Sequence, residues 1–323
     1  MKQRMGVILL IKEKIELNIG YPLRQFTPWY SQLLAIASID KNFEEWVYCS
    51  NINLVLKQVN VDQYYNGTYI FFEDIPECIE LKSIPYKIFR SCWKDIILFF
   101  KEALGLGYYI LIDVDPYYLP CFYKYYKKLH SYNTIIIYGY RKEDFEIAIF
   151  DDYPNYHYEK YTCPYSKMRE SLHYDILEDK IPFWLEKFNL VYYREEILKF
   201  SADKLKAQLK MFIKEKNNAS ESNIVARGEG VFDKLCDDAF KESSAWGCIV
   251  DSLLEYHRII IRRYDYIIKK NLITENKDMK ELIHVNVALF DRVKKFLEKC
   301  QISDIKKISE NIKIINNYLL CNL

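Results

Sequence analysis

The segment 131–152 constrains the fold of this chain more than any other part of the sequence. It contains two apolar runs, 134–138 and 145–150, which are separated by a charged turn. Runs of β-branched and aromatic residues on either side of a polar turn are typical of an antiparallel hairpin. Because both ends of a hairpin lie at the same edge of a sheet, we expect Asn133, before the first strand, to lie close to Asp151, after the second.

Helical and strand patterns surround this hairpin in the first part of the chain. Residues 28–39 carry a proline where a first helical turn tolerates one, together with an apolar face, so they predict a helix. The further elements predicted here are strands over 5–11 and 108–114 and helices over 92–104 and 122–129. This pattern predicts an α+β domain over 1–194, in which the N-terminal helix packs on a mostly antiparallel sheet.

The sequence changes character after residue 194. Helical periodicity dominates and strand signals disappear, with helices predicted over 196–216, 228–242, 246–270, 280–298 and 303–320. We therefore predict that the second domain, 195–323, is all-helical. The apolar spacing within 246–270 indicates either the core of this domain or the seam of a homodimer.

The overall composition excludes several classes of protein. Hydrophobic residues make up 50% of the 323, enough to fill two cores, and the formal net charge of +1 favours no nucleic-acid partner. No run approaches the roughly 20 apolar residues that span a bilayer, and the run 5–11 is too short for a signal peptide. The nine cysteines form no CxxC pair, which argues against disulfides and zinc and indicates a reduced, cytoplasmic protein.

The order of polar residues along the chain fits an acyl-transfer site of the cysteine type. Such a site needs a nucleophile at a helix start, an upstream donor that shares the oxyanion, an imidazole base and a group that holds the imidazole. Here Gln25 precedes Ser31 in the first predicted helix, and Asn133 and Asp151 follow at the two ends of the hairpin. The chain order therefore permits one site built from these four residues.

Several segments give the chain a resemblance to a known family. They are Gln25, Ser31 and 36–39 in the helix region, the strand and loop 110–120 (ILIDVDPYYLP), the step 129–130, the strand 135–140 and Asp151. Together they resemble the butirosin biosynthesis protein H family, which is related to papain-like peptidases, including those that cleave bacteriocin leader peptides. The resemblance implies a papain-like N-terminal domain followed by a helical C-terminal domain, so it covers both halves of the chain.

The resemblance also implies an activity in secondary metabolism. In that family an acyl or aminoacyl group leaves the phosphopantetheine thioester of a carrier protein and passes to an amine, which forms an amide. The implied partners are a carrier protein and an amine acceptor, and no cofactor is implied. By the same resemblance Ser31 lies at the nucleophile position, Gln25 at the oxyanion position, Asn133 at the base position and Asp151 at the position that orients the base.

Two of these positions depart from the family pattern, because a serine replaces the expected cysteine at 31 and an asparagine replaces the expected histidine at 133. A serine hydroxyl without a base is a weak nucleophile. Three explanations are open: a non-catalytic homologue that binds a carrier or ligand, His130 as a displaced base for Ser31, or transfer by orientation of thioester and amine alone. An engineered replacement of cysteine at Ser31 is a fourth, and peptidase activity is not expected without a cysteine nucleophile.

Each candidate residue also has an ordinary structural explanation. Ser31 fits a serine near a helix start, Asn133 and Asp151 fit turns at strand ends, and His130 fits a residue that ends a helix. Gln25 fits a solvated side chain, as most glutamines are.

Two further sets of residues have alternative explanations. Asp113 and Asp115 end a predicted strand, where a hard cation could bind, but without a third acidic partner we expect no metal. One predicted helix carries a basic stripe that consists of Arg258, Arg262, Arg263, Lys269 and Lys270. This stripe fits either a solvated face or a surface that docks an acidic carrier helix.

Overall fold

The structure, a computed structural model, describes residues 13–22, 28–61, 65–72, 74–150, 158–173, 185–195, 197–214, 224–235, 246–295 and 302–323. It combines helices with two antiparallel sheets. Among these residues, none of the helices has the length and apolar character that crossing a lipid bilayer requires.

The chain divides into two units. The first consists of Met1–Leu23, Pro28–Ile39 and Glu77–Glu195, and the second of Arg24–Thr27, Asp40–Pro76 and Glu196–Leu323. One observed boundary lies between Glu195 and Glu196, next to the predicted boundary between 194 and 195. Each unit, however, consists of three separate segments, whereas the predicted domains 1–194 and 195–323 are continuous in sequence. Residues 40–76 belong to the second unit because their strand β2 (Leu54–Val61) pairs with strand β10 (Ile224–Arg227) of the C-terminal half.

The first unit is built on one large antiparallel sheet. Numbered along the whole chain, its elements are β1 (Lys14–Glu16), α1 (Pro28–Ala37), β4 (Ile79–Pro85), α3 (Tyr86–Cys92), α4 (Ile96–Gly105), β5 (Tyr108–Val114), β6 (Asn133–Arg141), β7 (Asp144–Phe150), β8 (Tyr158–Pro164), α5 (Tyr165–Ser171) and β9 (Lys187–Tyr193). The strand order is β4-β9-β5-β6-β7-β8, and β1 pairs with the end of β6. The predicted helix at 28–39, the strand at 108–114 and the hairpin are confirmed, whereas the strand predicted at 5–11 lies outside the described residues.

The central strands are apolar throughout because both of their faces are covered. Ile135 and Ile137 of β6 belong to a core cluster with Phe100 of α4, and they face one side of the sheet. The intervening Ile136 and its β7 partner Ala148 are also buried but lie outside that cluster. Helix α1 packs on β6 and β7. A strand that is buried on both faces loses the alternation of apolar and polar residues, which is what the runs in the sequence show.

Two helix predictions in the first unit need correction. The helix predicted over 92–104 is interrupted, because Asp95 is extended and caps α4 by accepting hydrogen bonds from the amides of Ile97 and Leu98. The helix predicted over 122–129 is wrong, and these residues form successive turns. Lys127 has a φ of +56°, in the left-handed region that an α-helix excludes, and its amide donates to the carbonyl of Tyr117.

The second unit contains a small sheet as well as helices. Its elements are α2 (Phe43–Cys49), β2, β3 (Tyr65–Phe72), α6 (Ala202–Lys214), β10, α7 (Glu229–Leu235), α8 (Trp246–Lys269), α9 (Lys277–Lys295) and α10 (Ile302–Asn322). The five helices predicted after residue 194 are confirmed within the described residues, whereas their predicted parts at 196, 215–216, 236–242 and 296–298 lie outside the described residues. The all-helical prediction is wrong, because β10 joins β2 and β3 in a three-stranded antiparallel sheet. A four-residue strand whose partner lies far away in the sequence leaves no local periodicity to recognise.

A buried arginine joins helix α8 to the end of α2 within this unit. Arg263 is fully buried, and its guanidinium donates to the carbonyls of Tyr48 (2.7 Å), Ser50 (3.1 Å) and Asn51 (3.3 Å). These carbonyls lie at the C-terminal end of α2, where a cation complements the helix dipole. Arg263 therefore cannot belong to a docking surface. The exposed members of the predicted basic stripe are Arg258, Arg262 and Lys269 on α8 and Lys270 directly after it.

Candidate functional site

Ser31 lies in the first turn of α1, with its side chain turned into the protein. It is fully buried, and its Oγ has no hydrogen-bond partner among the described residues. The next residue, Gln32, donates from Nε2 to the carbonyl of Ala148 in β7 at 2.9 Å. The helix that carries the predicted nucleophile therefore packs against the hairpin, as expected, but the hydroxyl is not presented to solvent.

Asn133, at the predicted base position, is the first residue of β6 and is also buried. Its Nδ2 donates to the carbonyl of Phe150 at 3.3 Å, and its Oδ1 has no hydrogen-bond partner among the described residues. The predicted closeness of the two hairpin ends is thus seen up to Phe150. Asp151 and Gln25 lie outside the described residues, so their predicted roles stay predictions.

A second group of side chains, which we call the Asp115 cluster, lies at the end of strand β5. It consists of Asp115, His130 and His173, whose ligand atoms all lie within 4.8 Å of one another. Oδ2 of Asp115 is 2.7 Å from Nδ1 of His130 and 2.9 Å from Nε2 of His173. The carboxylate is 1% exposed, His173 is 16% exposed and His130 is 55% exposed, so the cluster has a closed side and an open side.

The backbone around Asp115 fixes the direction of its carboxylate. A short 3-10 helix follows at Pro116–Tyr118, and Oδ1 of Asp115 accepts from the amides of Tyr117 (3.0 Å) and Ser131 (3.4 Å). The amide of Asp115 donates to the carbonyl of Ser171 at the end of α5. One carboxylate oxygen is therefore held by the backbone, and the other is directed at the two imidazoles.

The two histidines come from different parts of the unit. His130 ends the series of turns that follows β5, and His173 follows α5 with a φ of +49°. A left-handed conformation is unfavourable for a residue with a Cβ and persists where the surroundings require it. The backbone at His173 thus adopts an unfavourable conformation, in which the imidazole lies beside the carboxylate of Asp115.

Aromatic rings surround the Asp115 cluster. The ring of Tyr117 stacks on His130 with 4.0 Å between centroids, and Tyr118 packs edge to face on His173 at 5.3 Å. Lys127 lies over the rings of Tyr117 and Tyr118 at 4.9 and 5.1 Å. These contacts limit the rotation of both imidazoles and leave the exposed edge of His130 open.

Electrostatics favour the ionised form of Asp115 despite its burial. Burial raises the pKa of this carboxyl, but hydrogen bonds from His173, His130 and the Tyr117 amide outweigh that effect, so that the pKa of Asp115 lies below the usual range.

Asp113, the other carboxylate predicted at the end of this strand, has different surroundings from Asp115. Its carboxylate accepts from the hydroxyl of Thr134, and burial raises the pKa of Asp113 to about 6 against the effect of that bond.

The structure does not bring His130 to Ser31. Nδ1 of His130 lies on Asp115, and Ser31 Oγ has no hydrogen-bond partner in the described part of the chain. The described contacts therefore do not support the explanation that His130 is a displaced base for Ser31. Burial raises the pKa of the Cys49 thiol, which disfavours the reactive thiolate form at that position.

Sequence reasoning missed His173 entirely and assigned His130 only as a base or a helix end. His173 is 58 residues beyond Asp115, and no local spacing relates the two. The one available signal was that histidine is rare in this chain: there are only five, and one of them, His130, follows the predicted strand that ends at Asp113 and Asp115.

Comparison of the chain with models of known protein families gives no match, and comparison with curated proteins gives none either.

Proposed function

We propose that this protein is an acyltransferase-like binding protein of secondary metabolism, which holds a carrier-linked acyl or aminoacyl group without forming an ester on Ser31. The family resemblance supports the carrier-linked group and the pathway class. The observation that carries the absence of an ester is the complete burial of Ser31, whose Oγ has no described hydrogen-bond partner.

The chemistry of the two altered positions agrees with this proposal. A serine attacks a thioester only when a base removes its proton, and the amide of Asn133 is not basic. Asn133 also directs its Nδ2 to the carbonyl of Phe150 rather than to Ser31. By analogy with triad knockouts, losing nucleophile and base together lowers a transfer rate on the order of 10⁴-fold.

A carrier protein loaded with an aminoacyl thioester tests the proposal. The loaded carrier is mixed with the full chain and an amine acceptor, and the mixture is followed by intact-mass and native mass spectrometry. We expect a noncovalent complex with the loaded carrier, no mass increase of the chain and no amide above the uncatalysed rate. The unloaded carrier and the Ser31→Ala variant are the controls, and the variant should bind as the wild type does.

Other outcomes overturn the proposal in distinct ways. A mass increase that disappears in Ser31→Ala would show covalent acyl transfer through that serine. Accelerated amide formation without any acylated chain would show transfer by orientation of the thioester and the amine, and the protein would then be an acyltransferase. The absence of any complex with the loaded carrier in native mass spectrometry would remove the carrier from the protein's partners.

A further inference from the structure

The Asp115 cluster pairs one buried carboxylate with two imidazoles, and no lysine or arginine ion pair to that carboxylate is found among the described residues. Asp115 is a buried carboxylate, and among the described residues its only ion-pair partners are His130 and His173. An imidazole supplies positive charge only when it is protonated, so neither partner is a permanent cation. Buried carboxylates are ordinarily paired with a cation or bound to a metal ion.

We propose that Asp115, His130 and His173 bind one divalent transition-metal ion, for which zinc suits the two nitrogens and one oxygen of the donor set. The inference does not rest on the carrier-binding function. Imidazole and carboxylate are common zinc ligands, and three protein ligands leave a fourth position for water or a substrate. The half-exposed edge of His130 places that position on the open side of the cluster.

The arrangement has the supporting contacts that metal-binding carboxylates need. The Tyr117 and Ser131 amides hold Oδ1 of Asp115, so that Oδ2 is left for coordination. The stacked ring of Tyr117 and the edge contact of Tyr118 orient the two imidazoles. These outer contacts come from the backbone amides of Tyr117 and Ser131 and from the rings of Tyr117 and Tyr118.

The distances require only a small rearrangement. Two donors on a tetrahedral zinc ion with bonds near 2.1 Å lie about 3.4 Å apart. The imidazole nitrogens are 2.7 and 2.9 Å from Oδ2, and all three donors lie within 4.8 Å. Ring shifts of about 1 Å therefore create the site. On binding, the proton that each imidazole directs at Asp115 moves to the other nitrogen of the same ring. Both histidines then bind the metal as neutral ligands, and Asp115 binds it as an anion.

Metal titration of the full chain, expressed without a histidine tag and treated with a chelator, tests this assignment. Co²⁺ is added first, because its visible absorption reports coordination by nitrogen and oxygen, and Zn²⁺ is then added to displace it. We expect one equivalent of each ion per chain and loss of the cobalt absorption when zinc binds. Inductively coupled plasma mass spectrometry on the protein as purified gives an independent count.

Matched histidine variants locate the ion. His130→Ala and His173→Ala should each weaken binding by tenfold or more, while His284→Ala should leave it unchanged. His284 is an exposed histidine of α9, outside the Asp115 cluster, whose Nδ1 donates to the backbone carbonyl of Lys280 at 2.7 Å. Because His130 is half exposed, His130→Ala is expected to fold, and circular dichroism checks that it does.

Two results would overturn the inference. Wild-type protein that binds neither ion would show that the cluster is a hydrogen-bonded brace. Binding of one equivalent with equal affinity in wild type, His130→Ala and His173→Ala would place the ion elsewhere in the chain.

Discussion

Gln32 donates a hydrogen bond from its Nε2 to the backbone carbonyl of Ala148, 2.9 Å away, and so ties helix α1 to strand β7. Both residues are buried. Because Ser31 precedes Gln32, this tie holds the predicted nucleophile position against the hairpin. The first unit thus has the predicted arrangement of a helix packed on the hairpin, and the Ser31 hydroxyl is kept from solvent.

A cysteine placed at position 31 measures this burial directly. In Ser31→Cys, we expect the new thiol to react with iodoacetamide at least about tenfold more slowly than Cys92 or Cys321, because reagent reaches it only after local opening. Both comparison thiols are exposed. Peptide mass spectrometry at timed intervals gives each rate within one sample. Alkylation at position 31 as fast as at Cys92 would mean that the site is open.

Gly139 is a point of close backbone approach between strands β1 and β6. A Cβ at this position would lie 2.6 Å from the carbonyl oxygen of Ile15 and 3.0 Å from Cα of Glu16. Because backbone atoms cannot move away cheaply, Gly139→Ala should lower the free energy of unfolding by about 1–3 kcal/mol, measured by urea denaturation.

Gly105→Ala is the matched control for that substitution. A Cβ there meets only the Ile15 side chain at 3.8 Å, an ordinary contact, and the residue ends helix α4. We expect no loss of stability and a gain of up to about 1 kcal/mol. Equal stability of Gly139→Ala and wild type would show that β1 does not hold its place beside β6.

Substitutions of Arg263 and of its neighbour Arg262 compare a buried, hydrogen-bonded cation with an exposed one. Arg263→Met removes the donors to the carbonyls of Tyr48, Ser50 and Asn51, so we expect a loss of about 2–4 kcal/mol in the free energy of unfolding. Arg262 is exposed, and Arg262→Met should change stability by less than about 0.5 kcal/mol. Urea denaturation at neutral pH compares them. A more stable Arg263→Met protein would show that burying the guanidinium costs more than its hydrogen bonds return.

His257 should make the second unit less stable in mild acid. Burial lowers the pKa of His257 to about 4, below the value of 6.5 expected in the unfolded chain. Between these values the unfolded state binds the proton and the folded state does not, so stability falls as pH decreases from 6.5 towards 4. The loss reaches about 3 kcal/mol for this residue when the pH has fallen to about 4.

The difference between wild type and His257→Leu isolates this contribution. We expect the variant to lack the loss, so that the wild-type minus variant free energy of unfolding changes by about 3 kcal/mol across pH 7 to 4. His284→Leu, at an exposed position, should retain the wild-type pH dependence. Parallel pH profiles for wild type and His257→Leu would mean that His257 is accessible to protons in the folded state.

Local periodicity predicted the elements whose side chains alternate or repeat over several turns. Strand β5 was predicted with its observed bounds, and the hairpin and the long helix α8 were predicted within a few residues, because their hydrophobic pattern lies within the segment itself. The prediction of a helix at 122–129 was wrong because of two features that apolar spacing does not show. The amide of Lys127 donates to the carbonyl of Tyr117, and Lys127 has a positive φ, which an α-helix excludes.

The sequence by itself determined that the first unit is an α+β structure with a helix on an antiparallel hairpin, and it named Ser31, Asn133 and His130 as residues of interest. Only the tertiary structure decided what these residues contact: Ser31 is buried without a described partner, and His130 meets Asp115 together with His173. Pairing of β2 with β10 was likewise decided by contacts between distant segments. Such contacts follow from the packing of the whole chain, whereas hydrophobic periodicity reports only the few residues on either side of each position.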